Sequence, residues 1–320
     1  MSLIISIVAL YLALRGVDFG DIWQSIQNAS WRFVFLALVS VTLNTLAKSL
    51  RWKILIGLPG QNIPSITYLM VLLAGQMLNT IFPARFGDLA RAYELGGMGP
   101  GRTFVLGTIV LEKMLDSIAY LLLFGTILLL IPLPHWFGGS ILAFIMIPMA
   151  IIGGILLLII WPAPFSRMLQ ILLGRLPDSW RDWLSPRIHS GINSLEIIRN
   201  RSDLLRLIFW TVLIWGFAIT TNTLTLLAFD IHLPITASLL VLVGLQAGIS
   251  LPAIPGTIGL FEFICVLALS VFGVDQTLAL SFGLLLHAIV LLPTTLAGMA
   301  SFWFLGLSGQ RHKYQDGIAQ

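Results

Sequence analysis

Apolar residues along this chain fall in long blocks, and polar residues gather in the gaps between them. The blocks at 3–14, 31–55, 103–131, 137–161, 207–229 and 277–307 predict six membrane-spanning helices. The first is shorter than a comfortable span of about 17 residues. The segment 17–30 mixes Asp18, Asp21, Ile22, Trp23 and Ile26, the pattern of an amphipathic turn lying in the interface. Trp31 and Trp52 stand at the two ends of the second block, where aromatic belts are expected, with Lys48, Arg51 and Lys53 at its exit.

Two further apolar blocks are interrupted. The run 64–82 reaches Asn79 and then breaks over Pro83–Gly87, because proline donates no backbone hydrogen bond and glycine weakens a helix. A short polar helix follows at 88–95, then a Gly-rich turn at 96–101. The run 235–251 breaks over Pro252, Pro255, Gly256 and Gly259 before apolar residues resume at 260–272. Both breaks carry a Pro-x-x-x-Gly spacing, Pro83/Gly87 and Pro255/Gly259, and each is followed by an acid, Asp88 or Glu262.

Basic residues turn these blocks into a topology. The segment 162–206 holds seven arginines against four acids and reads as surface helices at the cytoplasmic face. It falls on the same side as Lys48, Arg51, Lys53 and the tail 308–320 only if 64–95 enters the membrane and returns. The same parity makes 235–272 an in-and-out pair entering from the other side. The fold class expected is therefore an all-α polytopic membrane protein: about six full spans plus two broken re-entrant hairpins. The single membrane domain, 1–320, divides into inverted halves at 1–131 and 132–307, the second containing 162–206. Inverted repeats with broken helices place transporter sites at the repeat interface near the midplane.

Composition agrees and excludes alternatives. The 320 residues are 58% hydrophobic and 10% charged, against about a quarter charged in soluble domains. Mean hydropathy is +0.96. A β-barrel would alternate in segments of about ten residues, and none occur. The net charge of +4 is a topology signal and no nucleic-acid footprint. The single cysteine, Cys265, allows no disulfide framework, and the five histidines have no HxxxH or HExxH spacing, so neither a metal nor a cofactor is expected. No Lys or Arg precedes the first block, so a secretory signal is not expected, and the cell (inner) membrane is the expected location.

Charges inside apolar blocks are the candidate chemistry, since each costs about 2.5–3.5 kcal/mol at a helix centre on insertion scales. Arg85 and Arg91 have two readings: a bidentate grip on a phosphate or other anionic headgroup, or positive-inside anchoring. Asp88 either pairs with an arginine or caps the helix after Gly87. Glu112 and Asp116 share one helix face, with Lys113 beside them, and read as counter-charges lining a cavity or as half-solvated residues near a helix end. Glu262 is an isolated intramembrane acid. His287 is either a proton carrier or a hydrogen-bonding core residue. Asn44 and Asn79 are read as satisfying neighbouring helices or broken backbone. Gly256 and Gly259 serve the backbone.

At these residues the sequence resembles the flippase-like family named after the transmembrane region of lysylphosphatidylglycerol synthetase. The matching pieces are Arg51-Trp52, Asn79…Pro83…Gly87-Asp88…Arg91, Glu112-Lys113…Asp116, Pro252…Pro255-Gly256…Gly259…Glu262, and the last span around Gly298. They cover nearly the whole chain. Lys113 stands where the family usually has arginine, and His287 where a basic residue is expected. The resemblance implies a bacterial or archaeal membrane protein acting on lipids. Some relatives move aminoacylated phospholipid between leaflets, and others are tied to hopanoid or polyprenyl-linked glycan handling. A soluble aminoacyl-transferase domain is not expected after the last span, so neither is synthesis of the modified lipid.

The function expected is lipid translocation, with a membrane lipid bearing an anionic headgroup as partner. The substrate-binding candidates are Arg51, Asn79, Arg85, Asp88, Arg91, Glu112, Asp116, Glu262 and His287. The hinge candidates are Pro83, Gly87, Pro252, Pro255, Gly256 and Gly259. Two rivals stand beside it: a membrane-embedded lipid-phosphate or glycosyl-carrier enzyme using Glu112 and Asp116, and a non-transporting partner of lipid-modifying enzymes.

Overall fold

A computed structural model describes residues 2–57, 63–82, 86–130, 201–248 and 255–318, with four isolated positions between 146 and 153. Most of the expected span at 137–161 and of the segment 162–206, and the break residues Pro83, Arg85 and Pro252, lie outside the described residues. Those described are helical throughout apart from short turns.

The helices are α1 (Ser2–Leu14), α2 (Phe19–Gln27), α3 (Trp31–Ile56), α4 (Ser65–Ile81), α5 (Phe86–Gly97) and α6 (Arg102–Leu130). After the undescribed stretch come α7 (Arg201–Ala228), α8 (Ile235–Gly248), α9 (Leu260–Ser270) and α10 (Gln276–Ile318). A 3₁₀ turn, Pro255–Thr257, precedes α9. Among the described residues, four helices are long and apolar enough to cross a membrane: Trp31–Ile56, Arg102–Leu130, Arg201–Ala228 and Gln276–Gly306. The helices α4, α8 and α9 are apolar but shorter. At 13 residues, α1 is also short of a full span.

Local chemistry explains the ends. Asp18 caps α2 by accepting the Gly20 N–H at 2.7 Å. Ile22 on α2 is buried while Phe19 and Trp23 face outward, the profile of an interfacial helix. The 43-residue α10 runs further than the expected 277–307 and contains Pro293.

Neighbour relations are ordered. The most extensive packing is α3 on α7, and its seam is polar. Ser40 Oγ donates to the Phe217 carbonyl (2.8 Å), Thr221 Oγ1 donates to Ser40 Oγ (3.0 Å), and Asn44 Nδ2 donates to the Ile214 carbonyl (2.5 Å). Such bonds are a main adhesive between helices where lipid tails are as apolar as leucine. Around this seam, α4 packs on α5 as α8 packs on α9, and α5 on α6 as α9 on α10. Further, α4 packs on α10 as α8 does on α6, α3 on α4 as α7 on α8, and α3 on α6 as α7 on α10.

Two close approaches hold the first hairpin in place. A Cβ on Gly87 would overlap the Gly75 carbonyl oxygen, so these glycines let α5 fold back onto α4 at backbone contact. The sequence reading assigned Gly87 to the break. It lies instead in the first turn of α5, where its missing side chain serves packing. Where α10 crosses α4, a Cβ on Gly298 would sit 2.5 Å from Met77 Cβ and 2.6 Å from the Leu73 carbonyl.

Candidate functional site

The first hairpin carries a charged cluster in an otherwise apolar interior. It begins where α5 starts. Asn79, near the end of α4, accepts the Gly87 N–H through Oδ1 at 2.8 Å, satisfying one of the amides that a helix start leaves unpaired. Its Nδ2 donates to Asp88 Oδ1 at 3.2 Å. Asp88 thereby faces inward, with Arg91 Nη1 at 3.6 Å and Lys113 Nζ at 3.7 Å.

One turn on, Arg91 is 3% exposed. Its Nη2 lies 2.7 Å from Glu112 Oε2 and its Nη1 3.4 Å from Glu112 Oε1. The guanidinium lies 4.1 Å over the Trp52 ring. Trp52 is held in turn by donating Nε1–H to Thr108 Oγ1 (3.3 Å) and by the edge of Tyr68, with ring centroids 6.0 Å apart. The aromatic-belt role expected of Trp52 is incorrect: it is fully buried. It is the floor on which Arg91 rests, and cation–π contact is strongest in such a desolvated setting.

A second arginine joins on α3. Arg51 is fully buried and donates through Nη1 to Asp116 Oδ1 (2.7 Å) and Thr211 Oγ1 (3.1 Å). Glu112 and Asp116, a turn apart on α6, therefore each receive one arginine, Glu112 from the hairpin and Asp116 from α3. The cluster ties α3, α5, α6 and α7 together. The cluster opens on one side, where the Asp116 side chain is 28% exposed and that of Lys113 39%. Buried guanidinium nitrogens are left over: Arg51 Nε and Nη2 and Arg91 Nε have no hydrogen-bond partner among the described residues.

The second hairpin has its own pair. The chain turns through Gly256 (φ 73°) and Gly259 (φ 85°), left-handed values that favour glycine. Glu262, in the first turn of α9, accepts the Gly259 N–H through Oε2 at 2.7 Å. Its Oε1 shares a 2.6 Å hydrogen bond with His287 Nδ1 on α10. Phe261 stacks on the imidazole at 4.2 Å between centroids. Glu262 and His287 are both buried, so the histidine that sequence left isolated is half of a pair. The pairing could have been looked for, since 235–272 holds no basic residue to meet Glu262.

The structure thus brings Arg51, Asn79, Asp88, Arg91, Glu112 and Asp116 into one network, and Glu262 with His287 into another. Sequence reasoning missed Trp52, Thr108, Tyr68 and Thr211 as its supports. Their signal was weak, because single hydroxyls and aromatics are common in any apolar helix. Among the described residues, no three His, Cys, Asp or Glu side chains are grouped as metal ligands would be.

No curated protein matches the chain. A family model described as the lysylphosphatidylglycerol synthase TM region matches residues 1–298, which takes in both hairpins and both charged groups. The chain belongs to the lysylphosphatidylglycerol synthase transmembrane-region family.

Proposed function

We propose that this protein translocates an anionic or modified phospholipid, or a polyprenyl- or isoprenoid-linked lipid, between membrane leaflets. Membership of the family ties a multi-pass membrane protein to lipid modification or translocation. The finer reading rests on one observation: each interrupted hairpin holds a buried acid–base pair against the span that follows it. In the first half these are Arg91 and Glu112, and in the second Glu262 and His287. Ionisable groups buried among apolar membrane helices are expensive and belong to sites and pathways by default.

Two inverted halves, 1–131 and 132–307, underlie the mechanism. Every neighbour relation between α3, α4, α5 and α6 has its counterpart among α7, α8, α9 and α10, with α3 and α7 in contact where a two-fold axis would pass. Hairpins α4–α5 and α8–α9 are re-entrant in this reading, and 162–206 and the tail are cytoplasmic in the cell membrane. Rocking of the halves about the α3–α7 seam gives alternating access. The headgroup enters beside the α3–α6 charges while the acyl chains stay in the bilayer.

The test is a leaflet assay. Purified protein is placed in vesicles containing fluorescent phosphatidylglycerol, phosphatidylethanolamine or lysyl-phosphatidylglycerol, with and without a pH gradient. Quencher added outside reads the exchange of label. Selective exchange above that of protein-free vesicles is expected. Folded protein that moves none of these lipids would refute the phospholipid reading.

A further inference from the structure

Among the described residues, the α3–α6 cluster has one cation more than its acids can match. Four cations (Lys48, Arg51, Arg91 and Lys113) face three carboxylates (Asp88, Glu112 and Asp116), and every member except Lys48 has an ion-pair partner. Lys48 lies one turn before Arg51 on α3, in the field of Asp116, Arg51, Glu112 and Lys113. Among the described residues it makes no hydrogen bond and no ion pair. Like Asp116 and Lys113, it is half-buried. A lysine with neither a hydrogen bond nor an ion pair inside an apolar span is costly. The buried Nε and Nη2 of Arg51, one turn away, are also unpartnered.

We infer that Lys48 and the free edge of Arg51 form the binding site for the phosphate of an anionic lipid headgroup. A phosphodiester brings the negative charge that the cluster lacks. Its oxygens can take the point charge of the ammonium and the planar edge of a guanidinium together. Arg91 is poorly suited to this task, because both of its Nη atoms already face Glu112. The inference deepens the translocation reading by moving the headgroup contact from the hairpin to α3. It rests on that reading for the lipid nature of its ligand.

Binding and transport separate the two ideas. Detergent-solubilised full-length protein is titrated with short-chain phosphatidylglycerol, short-chain phosphatidylcholine and inorganic phosphate, followed by tryptophan fluorescence and by the unfolding temperature. Lys48→Gln should weaken phosphatidylglycerol binding by at least about tenfold, the size of a lost charge-assisted contact. Lys48→Arg should stay close to wild type, and Lys53→Gln, which removes an exposed lysine bonded to Ser65 Oγ, should have no effect. Without ligand, Lys48→Gln should unfold no earlier than wild type, since no partner is left unpaired. If Lys48 were a structural counter-ion of Asp116, that temperature would fall and Lys48→Arg would restore it with binding unchanged throughout. Equal phosphatidylglycerol affinity in wild type and Lys48→Gln overturns the inference, whatever the leaflet assay finds. Inorganic phosphate binding as tightly as the lipid overturns its assignment to a headgroup. Lys48-dependent lipid binding without any leaflet exchange would uphold the site and remove the translocation reading.

Discussion

Arg91 and Glu112 are joined twice, Nη2 to Oε2 at 2.7 Å and Nη1 to Oε1 at 3.4 Å, with the Trp52 ring beneath the guanidinium. This paired geometry fixes α5 to α6 and, through Trp52, to α3. Removing one partner of a buried pair leaves the other charge uncompensated, which costs about 3–5 kcal/mol. Arg91→Ala should therefore lower the unfolding temperature sharply, and Glu112→Ala should do the same. Removing both charges together, as Arg91→Met with Glu112→Leu, should recover most of the loss. Thermal unfolding followed by tryptophan fluorescence checks this. A double variant less stable than either single one would show that the pair is not the unit that matters.

Close backbone contact gives a second prediction. Gly87 meets the Gly75 carbonyl with backbone on both sides, so neither can yield by changing rotamer. Gly87→Ala should cost about 1–3 kcal/mol or more, as overpacking does, and should loosen the α4–α5 hairpin. Gly125 on α6 has open space around its Cβ position. Gly125→Ala should be neutral or stabilise by about 0.5–1 kcal/mol, because alanine loses less backbone entropy in a helix. Equal effects at the two positions in a stability assay would count against the close-approach account.

The Asn79 amide separates hydrogen bonding from charge. Its oxygen accepts from Gly87 and its nitrogen donates to Asp88. Asn79→Ala leaves the Gly87 N–H unpaired at a cost of about 1–3 kcal/mol. Asn79→Asp keeps the acceptor but sets a second carboxylate against Asp88. The aspartate should therefore be no better than the alanine at neutral pH, and should improve on acidification as the two carboxylates come to share a proton. Hydrogen exchange at the start of α5 reads the local opening directly. Slower exchange in Asn79→Asp than in wild type at neutral pH would contradict this arrangement.

Much of this architecture was legible in the chain. Apolar blocks located α3, α6, α7 and the start of α10, since a spanning helix must satisfy its own backbone. The two Pro/Gly interruptions fall between α4 and α5 and between α8 and α9, and the Glu112/Asp116 spacing put both acids on one face. Pairings between distant segments were not legible. Nothing local in Arg51 names Asp116 as its partner, and nothing in Glu262 names His287. Trp52 misled because its place beside Lys53 at a block's end fits a belt residue as well as a buried one. Gly87 misled because a glycine after a proline signals a break, whereas close helix approach leaves the same residue in the sequence.

Glu262 and His287 offer a test in which stability and transport should part. The Glu262 carboxylate holds Gly259 through Oε2 and His287 through Oε1, each bond shorter than 2.8 Å. Glu262→Ala leaves both groups unpaired at about 1–3 kcal/mol each, so the variant should unfold well below wild type. Glu262→Gln can keep both bonds, its amide oxygen accepting from Gly259 and its amide nitrogen donating to the imidazole. It should unfold close to wild type while removing the negative charge from the second hairpin. If that charge takes part in moving lipid, Glu262→Gln will be folded and slow in the leaflet assay, and Glu262→Asp will be intermediate, its shorter side chain retaining charge but not reach. A Glu262→Gln protein that is both stable and fully active would confine Glu262 to holding the turn at Gly259. One as unstable as Glu262→Ala would mean that the charge itself, and not the pair of hydrogen bonds, keeps α9 on α10.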